Sequence, residues 1–172
     1  MNEYWKKKSW KIKTQEDLPY LATPIHVIES IFKFLNEKNL IRKDQKFIDL
    51  GAGDGRAIIF ASEFYSLVSL GLEININLIK TAESEIKRRN LSDLCKIEEI
   101  DLFNYDISDM DIIFCFFLPS NYAYCTHMVE KVKSGGIVIN VRWDLKKFKK
   151  YWKKSYKIKT DKQFPAYIYV KK

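Results

Sequence analysis

The chain is 172 residues long, 47% apolar and 30% charged, with a net charge of +8. That length suits one domain with its own core, and no run of eighteen apolar residues is present to cross a membrane. Three cysteines, Cys95, Cys115 and Cys125, are odd in number and never spaced C-x-x-C, which speaks against a disulfide framework or a zinc site.

Residues 1–18 are charged and aromatic without a period, and are read as a basic arm ahead of a single domain spanning 19–172. The start, Met1-Asn2-Glu3-Tyr4-Trp5-Lys6-Lys7-Lys8, lacks the apolar stretch of a leader, which points to a cytoplasmic protein. Thr23 suits a helix N-cap and Pro24 the first helical position, with Ile25, Ile28, Phe32 and Leu35 following at helical spacing. From there the chain alternates: strand about 46–50, helix about 55–65, strand about 67–72, helix about 75–90, strands about 94–100 and 111–117, helix about 120–133, strand about 136–142. Two last strands near 151–159 and 164–171 read as a hairpin, with Tyr156 to Lys159 pairing with Ala166 to Val170. Repeated βα units require a mostly parallel sheet covered by helices on both faces. The expected fold is therefore α/β, Rossmann-like and seven-stranded, with an antiparallel C-terminal strand of the kind that separates class I methyltransferases from dehydrogenases.

The most informative residues come after the first strand. Asp49-Leu50-Gly51-Ala52-Gly53-Asp54-Gly55 has the spacing G-x-G-x-G, not the G-x-G-x-x-G that closes a helix on a pyrophosphate. Asp49 and Asp54 would repel a diphosphate and could accept hydrogen bonds from an α-ammonium group, which S-adenosylmethionine carries without phosphate. Glu73 lies twenty residues beyond Gly53, at the end of the second strand, where an acid takes ribose hydroxyls. Asp101 either accepts from the adenine amino group while Leu102 or Phe103 flanks the ring, or simply caps a turn. After the fourth strand, Phe117-Leu118-Pro119 should face the reacting centre. It lacks the Asn or Asp before Pro-Pro-aromatic with which amino-methylating enzymes hold a base or a carboxamide. Asp111 falls at the opposite end of that strand, and His26 and His127 are isolated in helical patterns, so no metal is implied.

Pro19-Tyr20-Leu21-Ala22-Thr23-Pro24, Phe47-Ile48-Asp49-Leu50-Gly51-Ala52-Gly53-Asp54-Gly55-Arg56, Gly71-Leu72-Glu73-Ile74-Asn75, Asp101-Leu102-Phe103 and Phe116-Phe117-Leu118-Pro119-Ser120 together resemble the small archaeal protein lysine methyltransferases and their mitochondrial relatives. The resemblance spans about 19–142. It implies S-adenosylmethionine-dependent methylation of lysine side chains on protein substrates, by direct attack of a neutral amine. It places Thr23, Asp49, Gly51, Gly53, Asp54, Gly55, Arg56, Glu73, Ile74, Asp101, Leu102, Phe103 and Phe117 at the cofactor, and Tyr20, Phe117 and Pro119 along the substrate channel. Tyr20 and Phe117 read equally as packing residues. The chain departs from the family at Ala52, where cysteine is frequent, at Leu21-Ala22, where Val-Pro is, and in its basic arm.

The expected protein is a monomer that engages no membrane. Lysine is dense at both ends, in Lys6-Lys7-Lys8 and in pairs from Lys146-Lys147 to Lys171-Lys172, interleaved with Trp5, Trp10, Trp143, Phe148, Tyr151, Trp152 and Tyr156, and this surface either attracts nucleic acid or an acidic partner or is a solvated face. Two other readings stay open: an RNA or small-molecule methyltransferase, and a non-catalytic nucleic-acid-binding protein on the same fold.

Overall fold

The computed structural model of the protein describes residues 21–119 and 122–172. The N-terminal arm at 1–18 and the proposed channel residue Tyr20 lie outside them. The described chain contains helices α1 (Ile25–Glu37), α2 (Arg56–Tyr65), α3 (Ile76–Arg88) and α4 (Tyr122–Lys131). Its strands are β1 (Lys46–Leu50), β2 (Val68–Glu73), β3 (Cys95–Glu99), β4 (Ile112–Cys115), β5 (Ile137–Val141), β6 (Trp152–Ile158) and β7 (Ala166–Lys171). They make one seven-stranded sheet in the order β3-β2-β1-β4-β5-β7-β6. Strands β1 to β5 pair in parallel, and β7 runs antiparallel to both of its neighbours, β5 and β6. The expected C-terminal hairpin is present, with Tyr156 opposite Ile168 and Ile158 opposite Ala166.

Alternation along the strands explains how two cores form on one sheet, because successive side chains point to opposite faces. Phe47, Ile112, Phe114, Ile137 and Ile139 enter the core under α1, α2 and α3, together with Val27, Ile28, Phe32, Ile58 and Ala82. Ile48, Leu50, Ile113, Cys115 and Val138 enter the other, under α4 and two 3-10 turns, with Cys125, Val129, Phe148 and Trp152. Burial of each large apolar side chain contributes about 1.5–3 kcal/mol. Phe32 anchors an aromatic cluster, its ring 5.5 Å from Phe47, 5.6 Å from Phe60 and 5.3 Å from Tyr65. All three cysteines are buried thiols. Burial pushes Cys95 and Cys125 up to about 12, which makes them packing groups.

Three local readings need correction. Pro24, not Thr23, is the N-cap of α1, at φ −59 and ψ 144 with no side-chain cap bond; its carbonyl accepts from Val27 N at 3.0 Å and Ile28 N at 3.3 Å. Thr23 is instead buried, with its carbonyl accepting from Arg56 Nη1 at 3.3 Å. The fourth strand stops at Cys115, two residues before the expected end, because Phe117 N donates to the Asn140 side chain instead of to a neighbouring strand. Between β5 and β6, where the sequence pattern marks no element, a 3-10 helix, Lys146–Tyr151, buries Phe148 among the lysines.

Candidate active site

The carboxyl ends of β1, β2 and β4 converge at one end of the sheet. After Leu50 the backbone turns through Gly51 (φ 87), Gly53 (φ 58) and Gly55 (φ 78), all in the left-handed region that residues with a Cβ rarely enter. Gly51 N and Ala52 N both donate to Leu72 O, at 3.0 and 2.9 Å, so the turn is stapled to β2. At Gly55 a Cβ would stand 2.8 Å from the Cβ of Ala82 on α3, so packing as well as φ requires glycine there.

Glu73 is 6% exposed and organises the turn. Its Oε2 accepts from Gly53 N at 2.9 Å, and its Oε1 from Ile74 N at 2.8 Å and Asn75 N at 2.9 Å. A carboxylate offers about four acceptor positions, so three are filled and capacity for a hydroxyl donor remains. Asp49 is also 6% exposed and has no hydrogen-bond partner among the described residues. Burial, followed by the nearby charges of Glu73 and Asp54, raises its carboxyl to about 8. Asp49 and Glu73 thus leave acceptor oxygens beside a bare backbone turn, a setting that suits a cation better than an anion. Asp54 is closed by Arg56, whose Nε donates to Asp54 Oδ1 at 2.8 Å and whose Nη2 also reaches Asp54, while Nη1 reaches Thr23 O. This clamp ties the turn to the chain entering α1.

Asp101 does cap a turn: its Oδ1 accepts from Phe103 N at 3.0 Å at the start of the 3-10 helix Leu102–Asn104. Leu102 is buried and Phe103 half-buried against the α4-side core. Phe117 is 3% exposed in that core, so it backs the site, whereas Pro119 is exposed. Asp111 lies at the far end of β4, accepting from Lys46 N at 2.8 Å and paired with Lys133 at 2.8 Å. Among the described residues no group of three or more His, Cys, Asp or Glu is arranged to hold a metal, and no helix is long and apolar enough to cross a membrane.

Sequence reasoning passed over Asn140. It is fully buried in β5, where its Oδ1 accepts from Phe117 N at 2.8 Å and its Nδ2 donates to Phe117 O at 3.3 Å and Trp143 O at 2.8 Å. One carboxamide therefore holds the segments leaving β4 and β5 together. A lone polar residue in the run Ile137-Val138-Ile139-Asn140-Val141 was the available signal, since a buried amide must find partners. Beside it, Arg142 sits at φ 74 and the Trp143 indole Nε1 is buried without an acceptor.

A mostly parallel sheet with β7 reversed, a glycine turn after β1 and an acid ending β2 define a class I S-adenosylmethionine-dependent methyltransferase. The chain belongs to the ANTKMT methyltransferase domain family, which matches it over residues 49–152. It is 27% identical over 131 residues, 75% of this chain and 79% of the relative, to a protein described as a protein-lysine N-methyltransferase from Saccharolobus islandicus. Among solved structures it is similar to an RNA methyltransferase from Salinibacter ruber in complex with S-adenosyl-L-homocysteine, with TM-score 0.72, 25% identity and coverage of 87% of this chain and 93% of that one. A SAM-dependent O-methyltransferase from Thermotoga maritima shares the fold, with TM-score 0.69, 16% identity and coverage of 97% and 71%. The pocket fits this cofactor: the unpartnered buried carboxyl of Asp49 suits an ammonium, the spare acceptor capacity of Glu73 suits a diol, and the acidic surroundings suit a sulfonium.

Proposed function

We propose that this enzyme methylates lysine side chains of proteins. The observation that carries the reading is the segment after β4. Phe117 is locked by both backbone groups to Asn140, and the next two residues, Leu118 and Pro119, are apolar. Neither offers a carboxamide or carboxylate to grip the amino group of a base, whereas an apolar approach favours the neutral form of a lysine amine by withholding water. The likeness to the Saccharolobus islandicus protein supports the same reading.

S-adenosylmethionine, when bound, supplies a methyl group already activated by its sulfonium. The chain's own residues then have to bind and orient. We assign Asp49 and the Gly51–Gly53 backbone to the amino-acid portion, Glu73 with Ile74 to the ribose, and Asp101, Leu102 and Phe103 to the adenine. Asp54, Gly55, Arg56 and Thr23 hold the turn in shape, and Phe117 supports the floor beneath the reacting centre. Pro119, exposed after β4, borders the route of the incoming amine. Because the sulfonium activates the methyl carbon and a neutral thioether is a good leaving group, positioning supplies much of the acceleration and no strong general base is required. Three cysteines held as buried thiols support a reducing, cytoplasmic site of action.

The test is incubation of the protein with methyl-labelled cofactor and either cell protein or cell RNA. Label recovered as methyl-lysine after protein hydrolysis is the expected result. Label entering RNA alone would overturn the proposal in favour of the reading that the Salinibacter ruber likeness suggests.

A further inference from the structure

The charge of this protein is not spread over it. Residues 146–172 hold eleven lysines and a single acid, Asp161, for a net +10, whereas residues 21–145 hold fourteen basic and eighteen acidic residues, for a net −4. The fold gathers the basic stretch in one place. Strand β6 is the outer strand of the sheet, and the 3-10 helix Lys146–Tyr151 leads directly into it. Lys146, Lys147, Lys149 and Lys150 on the 3-10 helix are exposed, as are Lys153, Lys154, Lys157 and Lys159 along the edge.

Several cations elsewhere are matched, Lys46 with Asp109, Arg56 with Asp54, Arg88 with Glu85, Arg89 with Glu63 and Glu85, and Lys133 with Asp111, in a region where acids outnumber bases. Along the ridge Lys146 meets Asp144 at 3.8 Å, and the one acid within the stretch, Asp161, is already bonded to His26 Nε2 at 2.9 Å. Lys149, Lys153, Lys154 and Lys159 have no ion-pair partner among the described residues. Tyrosine rings steady some of the others: Lys150 and Lys171 Nζ lie 4.7 and 4.6 Å from the Tyr151 ring, and Lys157 Nζ lies 5.5 Å from that of Tyr167. Lysines on an edge strand do prevent sheet-to-sheet pairing. That does not account for the four on the 3-10 helix, which is not part of the sheet.

We propose that this lysine ridge docks the phosphate backbone of nucleic acid. Its shape is linear, since seven strand residues span about 23 Å, which suits a rod of closely spaced charges. The ridge offers lysine point charges without arginine forks, which favours sequence-independent backbone contact. A protein interface or an inserted membrane surface would need exposed apolar side chains at its centre. The large exposed apolar residues, Leu21, Ile25, Phe64, Val68 and Ile76, all lie off the ridge. Strand β6 runs parallel to β1, so the ridge ends at the same end of the sheet as the glycine turn. Docking is independent of which acceptor is methylated.

The test measures binding of a fluorescent single-stranded RNA 20-mer to the full chain by anisotropy, against phosphatidylserine vesicles and polyglutamate at equal charge concentration. With about six phosphates contacted, log K should fall with log[KCl] at a slope near −4, roughly 300-fold between about 50 and 200 mM. The K149Q/K153Q/K154Q/K159Q variant should bind about 100-fold more weakly, with a slope near −1, while methylating a short lysine peptide at the parent rate. The corresponding four-arginine variant should bind like the parent, which separates charge from folding. RNA affinity unchanged in the glutamine variant would overturn the proposal, as would tighter binding of vesicles or polyglutamate than of RNA.

Discussion

At the carboxyl ends of β1 and β2, Asp49, Asp54 and Glu73 crowd a backbone turn, two of them almost shut off from water; along β6, lysines stand in solvent with no acid beside them. Strand β6 lies four spacings from β1 and five from β2, about 19–24 Å by strand spacing. In the first, low exposure makes each charge expensive unless a hydrogen bond or a ligand meets it, so backbone N–H groups are committed to Glu73 and Asp49 is left for something cationic. In the second, water screens each charge and the residues cost the fold almost nothing, so their number is free to follow the needs of a partner. Buried acids should therefore govern stability and cofactor binding, and exposed lysines only association.

The largest effect should come from Glu73→Ala. It leaves the N–H groups of Gly53, Ile74 and Asn75 without their acceptor, and unfolding in urea should show a loss of about 3 kcal/mol or more. Next comes Asn140→Ala, which frees Phe117 N and both carbonyls it serves. A loss of about 2 kcal/mol is expected, with kcat falling more than the KM for S-adenosylmethionine changes, because the substrate side is loosened and the glycine turn is not. A KM effect alone would show that Asn140 does not position the methyl-transfer side.

Asp49 gives a pH-dependent effect with a defined sign. Its carboxyl is raised from 3.8 to about 8 in the folded protein, so the native state holds a proton that the unfolded chain releases. Its stabilising contribution is complete below about pH 4 and is lost as pH rises through about 8. Asp49→Asn should therefore be more stable relative to the parent at pH 9 than at pH 5, measured as a difference in Tm. An unchanged difference would mean that the carboxyl is ionised throughout. The smallest effect belongs to the ridge: replacing Lys149, Lys153, Lys154 and Lys159 by glutamine should shift stability by no more than about 0.5 kcal/mol per site. A larger loss would make the lysines part of the fold and erase the contrast between the two regions.

Much of the fold was legible because apolar runs of strand length alternate with helical spacing, and because the turn after Ile48 has only one economical use for its three glycines. Glu73 was legible from its distance to Gly53, and the C-terminal hairpin from its aromatic alternation. What escaped was tertiary. Thr23 looks like a cap, but the carbonyl it presents to Arg56, thirty-three residues away, decides its place. The 3-10 helix at Lys146–Tyr151 hides one buried residue, Phe148, among lysines, too little apolar pattern to mark an element. Asn140 announces that it is buried and polar but not that it holds both backbone groups of Phe117, which only the pairing of β4 with β5 brings near. The separation of charge could be counted from the sequence, whereas its concentration on one sheet edge required the strand order.

Calorimetric titration of S-adenosylmethionine into the protein at pH 7, in two buffers of different ionisation enthalpy, reports on the buried acids without any methyl acceptor present. One binding site is expected, with release of up to about one proton as Asp49 meets the ammonium group, and no measurable binding in a Glu73→Ala variant shown to be folded under the same conditions. No heat in the parent, or equal affinity in the variant, would show that the glycine turn and its acids are not the cofactor site.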